Sequence, residues 1–145
     1  MTSIVRSITT LSRIIRYRRE TSLSLQEFPA FWHNYLLTIH RHPGISQDQI
    51  AKRLLVDKSN AARQLGKLAQ LGYIIRTTDE SDARRYNVTL SERGEALIPK
   101  LRDIHDQVEK VLLSALTLDE QEAFLPLLEK VLDKAKTELA QREEE

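Results

Sequence analysis

The stretch TDESDARRYNVTLS, Thr78 to Ser91, decides how the rest of the chain is read. An apolar run, Tyr73, Ile74 and Ile75, leads into it, and an alternating run, Tyr86 to Leu90, closes it. Period-two alternation marks a half-buried strand, so the two runs predict a hairpin over roughly 73–77 and 86–90. Its tip carries Asp79, Glu80 and Asp82, then the adjacent Arg84 and Arg85, with no Gly or Pro for a tight turn. Carboxylates in such a loop can accept hydrogen bonds from the loop's own amides or pair with an arginine, which fixes the tip. On that reading Asp79 and Asp82 shape the loop and Arg84 is presented by it, while Arg85 meets an outside anion or pairs with an acid of the loop.

Immediately upstream, Ser46 and Gln49 have the spacing of a capping box, in which each end satisfies the other's orphan amide. They open a short helix with Ile50, Ala51, Leu54 and Leu55 inward. Asp57 caps a further helix, Lys58 to about Leu71, whose buried stripe is Ala61, Leu65 and Leu68, and Gly72 ends it. Two helices on a tight connection predict a helix-turn-helix, whose second helix enters the DNA major groove by its N-terminal end. The outward positions are Lys58, Ser59, Asn60, Arg63, Gln64 and Lys67. Lys and Arg neutralise phosphate or read guanine, Asn and Gln can pair bidentately with adenine, and Ser contacts either. The same residues would equally serve as an ordinary solvated helix face. A hairpin directly after such a helix, with a basic tip, is a wing suited to the flanking minor groove, where Arg is favoured.

Around this middle unit the chain is helical. Ile4, Ile8, Leu11 and Ile15 repeat at helical spacing, predicting a helix from about Ser3 to Glu20. A polar connector, Thr21 to Glu27, leads to a second helix with Pro29 in its first turn. That helix carries Phe31, Trp32, Tyr35, Leu36 and Ile39 and stops at His42, Pro43 and Gly44. After the hairpin, Ser91 starts a helix with Leu97, Leu101, Ile104, Val108, Val111 and Leu112, and Pro99 predicts a kink or a delayed start. Thr117 and Glu120 form another capping box, opening a helix with Phe124, Leu127, Leu128, Val131, Leu132, Ala135 and Leu139. The tail, Gln141 to Glu145, is expected to fray. The fold class is therefore mainly α with a small β-hairpin.

The 145-residue chain is one domain's worth of sequence. Its net charge of +1 hides an asymmetry: 12 Lys+Arg against 4 Asp+Glu up to Arg76, then 10 against 17. A basic half joined to an acidic half points to a polyanion-binding surface carried by a part that does not bind polyanions. No apolar run reaches the roughly 20 residues that span a bilayer. The N-terminus has arginines spread among its apolar residues, which is not a secretory pattern. A cytoplasmic location is expected. With no cysteine there is no thiolate metal site and no thiol redox sensor. An enzyme is not indicated, since there is no glycine-rich phosphate loop, nucleophile–base pair or metal triad. His33, His40, His42 and His105 are scattered, and solvent-facing groups account for His105, Asp106 and Glu109 better than a metal does. Neither a cofactor nor a metal is expected.

These residues together resemble the MarR family of winged helix-turn-helix transcription regulators, over nearly the whole chain. The family's wing, Asp-x-Arg-Asp-x-Arg followed by Leu-Thr-x-x-Gly, is matched by Asp79, Asp82 and Arg84, then Leu90, Ser91 and Gly94. Its preceding Leu-x-x-x-Gly-x-Ile-x-Arg is matched by Leu68, Gly72, Ile74 and Arg76, and Pro43, Gly44, Ser46, Ile50 and Ala51 resemble the segment before the recognition helix. Ser81 departs from the family's Arg, leaving the wing one cation short, and Ser91 replaces Thr while keeping the hydroxyl. The resemblance implies one domain, 1–145, with dimerisation helices in 1–22 and 91–140 and a winged helix-turn-helix lobe in 43–90. It implies a homodimer on an inverted-repeat operator in double-stranded DNA, acting as a repressor, with Arg84 in the minor groove and Asp82 supporting it. It also implies release by a small aromatic compound, for which Arg16, Tyr17, Phe31, Trp32 and Tyr35 are the candidate pocket. Core and interface packing is the plainer account of those aromatics. Two other functions are open to this fold: a weakly specific architectural DNA-binding protein, and a winged-helix protein-interaction module.

Overall fold

The structure, a computed structural model, describes residues 2–23 and 28–143, so the connector predicted over 21–27 and the tail over 141–145 fall partly outside the described residues. Among the described residues six helices and three strands follow in the order α1 (Ile4–Ser22), α2 (Trp32–Arg41), β1 (Ile45–Ser46), α3 (Gln47–Leu54), α4 (Lys58–Gln70), β2 (Ile74–Thr78), β3 (Tyr86–Leu90), α5 (Glu92–Leu113) and α6 (Leu118–Glu143). The chain falls into two compact units, one up to Asp106 and one from Gln107 onward.

In the first unit, Leu36 and Ile39 of α2, Ile50 of α3, Leu65 and Leu68 of α4, Val88 of β3 and Leu101 of α5 are fully buried in one core. Helix starts follow the capping chemistry of the sequence. Ser46 Oγ accepts from the Gln49 amide at 3.2 Å while Gln49 Oε1 accepts from the Ser46 amide at 3.2 Å, and Asp57 Oδ1 accepts from the Asn60 amide at 2.8 Å. Between α3 and α4 the turn is made by Leu55 at φ 56°, an exposed leucine in the left-handed region. The Val56 amide donates to the Ala51 carbonyl at 3.0 Å and closes that turn.

The hairpin is the larger part of a three-stranded antiparallel sheet in the order β1-β3-β2, which corrects the two-stranded expectation. Ile45 pairs with Val88 and Ser46 with Asn87, so β3 lies in the middle and its buried residue, Val88, faces the core. Gly44, at φ 80°, turns the chain into β1, and its amide donates to the Val88 carbonyl at 2.9 Å. One further boundary differs from expectation. Pro29 lies in a turn ahead of α2 rather than inside it, with the Trp32 amide donating to the Pro29 carbonyl at 3.0 Å. Helix α5 starts at Glu92 and continues through Pro99. Pro99 lies inside the helix, past its first turn, so its missing N–H leaves the Glu95 carbonyl without the usual i+4 donor.

The passage from β3 into α5 is built on Ser91 and Gly94. Ser91 Oγ accepts from the Gly94 amide at 3.1 Å and itself donates to the Gly72 carbonyl, while the Ser91 amide donates to the Tyr73 carbonyl at 3.1 Å. Backbone approaches backbone so closely here that a Cβ on residue 94 would stand 2.1 Å from the Tyr73 carbonyl oxygen. Alanine is the better helix former by about 1 kcal/mol, but a contact that short forces the backbone apart at a cost of about 3 kcal/mol or more. Gly94→Ala is accordingly expected to lower the urea midpoint sharply; a variant as stable as the wild type would show that the strand–helix junction yields freely.

In the second unit, Thr117 and Glu120 cap α6 reciprocally, with the Thr117 amide donating to Glu120 Oε2 at 2.8 Å. No residue of α6 is buried. Phe124, Leu128, Val131, Leu132 and Leu139 recur at helical spacing and are all 41–44 % exposed. In the first unit, Ile4, Ile8 and Leu11 form an equivalent bare stripe on α1. Among the described residues, no helix is long and apolar enough to cross a membrane.

Candidate nucleic-acid interface

Helix α4 turns Ala61, Leu65 and Leu68 inward, and that inward stripe leaves Lys58, Ser59, Arg63 and Lys67 exposed. Lys58 Nζ stands 3.7 Å from Asp48 Oδ2, both largely in solvent, a pair that water screens and that leaves the ammonium available to another anion. Asn60 and Gln64 differ from their neighbours in being only half exposed. Gln64 Oε1 accepts from the Trp32 indole N–H at 3.1 Å, and Gln64 Nε2 donates to Asn60 Oδ1 at 3.3 Å. Arg63 Nη2 donates to the same oxygen at 3.4 Å. The two amides are thus tied into the lobe at the edge of the outward face.

The wing tip is a set of small hydrogen-bonded turns. Asp79 Oδ1 accepts from both the Ser81 amide at 2.9 Å and the Ser81 hydroxyl at 2.6 Å. Asp82 Oδ1 accepts from the Arg84 amide at 3.0 Å, and backbone bonds from the Asp79 amide to the Arg85 carbonyl and from the Arg85 amide to the Asp82 carbonyl close the loop. The Ser81 hydrogen bonds, with smaller help from Asn87 and Arg85, hold the Asp79 carboxyl below its ordinary pKa. Among the described residues the wing acids take amide and hydroxyl partners and form no ion pair with Arg84 or Arg85. Both guanidinium groups are exposed. Ser81, the departure from the family pattern, is therefore engaged by Asp79 rather than idle. At the wing's base Arg76 lies over the Tyr86 ring, 5.1 Å from its centroid, and donates to Gln47 Oε1 at 3.3 Å. Sequence reading missed that tie and the Trp32–Gln64 bond. The second had a signal, because a buried indole N–H needs an acceptor.

Of the residues expected to hold an aromatic ligand, Phe31 and Trp32 meet edge-on with ring centroids 6.2 Å apart. Arg16 and Tyr17 are exposed on α1, and Phe31 is exposed ahead of α2, whereas Trp32 and Tyr35 are buried in the lobe. A groove along α1, lined by Thr10, Arg13, Ile14, Tyr17, Arg18, Thr21 and Ser22, takes in Tyr17 and none of the other four. Phe28 meets Trp32 edge-on at 5.3 Å and Tyr73 edge-on at 5.6 Å, so this aromatic cluster is largely core packing. Two polar atoms beside it, His33 Nε2 and Tyr35 Oη, are buried with no hydrogen-bond partner among the described residues. Of the other histidines, His40 Nδ1 is 2.9 Å from Glu95, and His105 stands exposed on α5 beside Asp106.

Burial, and secondarily the Arg19 guanidinium, pushes His33 down to about 4 from 6.5. The folded chain then holds His33 neutral while the unfolded chain protonates it, so stability is full above about 6.5 and falls as pH drops towards about 4. Between about pH 7 and pH 5 the loss from this one group is about 1–2 kcal/mol. His33→Leu should flatten that part of the urea-midpoint profile. An unchanged slope would assign the acid sensitivity to other groups.

Comparison with known proteins agrees with this arrangement. The MarR family model matches residues 25–85. The HTH-type transcriptional regulator YybA of Bacillus subtilis is 34% identical over 97 residues, 67% of this chain, which spans 65% of that protein's length. The HTH-type transcriptional regulator BilQ of Clostridium symbiosum is 32% identical over 97 residues, 67% of each chain. The crystal structure of MarR superposes with a TM-score of 0.85 at 29% identity, covering 99% of this chain and 96% of that one. These relatives are regulators, not enzymes, and the chain belongs to the MarR family of transcriptional regulators.

Proposed function

We propose that the chain is a cytoplasmic, sequence-specific repressor that binds an inverted-repeat operator in double-stranded DNA as a homodimer. The observation that carries this reading is the pairing of two surfaces on one lobe. Lys58, Ser59, Arg63 and Lys67 line the outward face of α4, and the wing holds Arg84 outward on a turn made by Asp82. The first surface has the shape and chemistry for a major groove, with lysines and arginines on phosphate and Asn60, backed by Gln64, at the base edges. The second offers a guanidinium to the minor groove beside it, with Arg85 along the backbone. Asp79 and Asp82 stay with their amide donors and do not meet phosphate.

Dimerisation is supported by the bare apolar stripes of α1 and α6, contiguous faces of the kind that mark protein–protein contacts. In this reading 1–22 and 91–140 supply the dimer and 43–90 the DNA-binding lobe. A two-fold axis would place two α4 helices about one DNA turn apart. Release by a small aromatic ligand is supported by the Tyr35 hydroxyl and His33 nitrogen among the α2 aromatics, which have no partner among the described residues and which a phenol or carboxylate would satisfy. Arg16, Tyr17 and Phe31 would approach such a ligand from the exposed side. Selection of bound duplexes from a random pool tests the reading. Retention without sequence preference would favour an architectural protein, and no retention at low salt a protein-interaction module.

A further inference from the structure

From the bond chain that starts at Trp32, we infer that this buried indole is a specificity-determining residue: it forces Asn60 to face DNA as a hydrogen-bond donor, and so to select guanine or thymine over adenine. The inference rests on α4 being the recognition helix. Its logic is directional. An indole N–H can only donate, so the Gln64 atom 3.1 Å away must be the carbonyl oxygen. That orientation fixes the other end of the Gln64 amide as NH2, which donates to Asn60 across 3.3 Å, and the Asn60 atom receiving it must be Oδ1. Arg63, also a pure donor, reaches the same oxygen at 3.4 Å. With Oδ1 held along the helix by two donors, Asn60 offers its Nδ2 hydrogens outward, and among the described residues these have no acceptor.

The consequence reverses what the residue types alone suggest. Bidentate pairing of an Asn amide with adenine needs Oδ1 to accept from the adenine N6 amino group, and here Oδ1 is turned away and occupied. Guanine, with O6 and N7 both accepting, suits two outward N–H groups, as does the O4 of thymine, whereas the cytosine amino group opposes them. Trp32 touches no base on this account. It acts through Gln64 as a positioning residue, and its ring is held independently by edge contact with Phe28 at 5.3 Å.

The test compares base preference in three proteins. Asn60→Ala first identifies the operator position whose preference it flattens. At that position the wild type is expected to favour guanine or thymine over adenine by about 5-fold or more. Trp32→Phe keeps a ring against Phe28 but removes the N–H, and the preference should shrink to within about twofold at that position alone. Gln64→Glu places acceptors at both ends of the link without touching the core. It should turn the Asn60 amide over and shift the preference towards adenine or cytosine, whatever happens to overall affinity. Trp32 is the sole tryptophan, so its single indole N–H resonance reports whether the bond to residue 64 is present. A wild type that prefers adenine at that position, or Trp32→Phe and Gln64→Glu proteins whose base profiles match the wild type, would overturn the inference. A wild type that binds no duplex would instead overturn the DNA-binding reading beneath it.

Discussion

Arg84→Ala is expected to bind the operator roughly 30- to 160-fold more weakly than the wild type while remaining a dimer with an unchanged melting temperature. The size follows from symmetry. The proposed dimer would carry two wings, and an arginine seated in a groove contributes about 1–1.5 kcal/mol, so the pair would lose about 2–3 kcal/mol. Stability should not change, because Arg84 is exposed and only its backbone amide is bonded, to Asp82 Oδ1 at 3.0 Å. The same geometry separates two variants of the acid. Asp82→Asn retains a carbonyl oxygen for the Arg84 amide and should keep most of the affinity. Asp82→Ala removes the acceptor, frees the tip, and should fall part of the way towards Arg84→Ala. Fluorescence anisotropy on one operator duplex gives all three values. Equal binding by Arg84→Ala and wild type would show that the wing does not reach DNA.

Leu128→Glu is expected to convert the protein to a monomer at micromolar concentration and to abolish measurable operator binding. Leu128 lies in the middle of the α6 stripe with Phe124, Val131 and Leu132, each 43–44 % exposed in the isolated chain. Full burial of such side chains is worth about 1.5–3 kcal/mol each, and a two-fold axis uses every one of them twice. A carboxylate placed in that stripe is likewise introduced twice, without a partner, at a combined cost of about 4 kcal/mol or more, or about a thousandfold in dissociation constant. Since α6 has no buried residue, the fold of each chain should survive, and helical content should be retained. Sedimentation equilibrium distinguishes the outcomes; a Leu128→Glu dimer as tight as wild type would place the interface elsewhere.

Much of this molecule could be read from local chemistry. Ser46 with Gln49, Thr117 with Glu120, and Asp57 announce helix starts because the capping bond lies within three residues, and all three are made. The role of Asp82 as acceptor for the Arg84 amide was legible for the same reason. What escaped reading depends on distant partners. Strand β1 is two residues long, too short for any periodicity to register, and exists because β3 accepts it at the sheet's edge. Gln64 sits beside the buried stripe of α4, where hydrophobic spacing separates inside from outside but does not resolve the rim. Its orientation is set by Trp32, 32 residues earlier in the chain. The burial of Trp32 and Tyr35 follows from packing against Phe28 and the lobe core, which no local pattern shows.

Selection of bound duplexes from a random pool at near-physiological salt tests the central claim most directly. The expected result is an inverted repeat with half-site centres about 10 base pairs apart, one position of each half-site showing guanine or thymine over adenine. A pool that is retained by the protein yet stays unenriched would contradict the claim that this chain is a dedicated regulator of particular sequences.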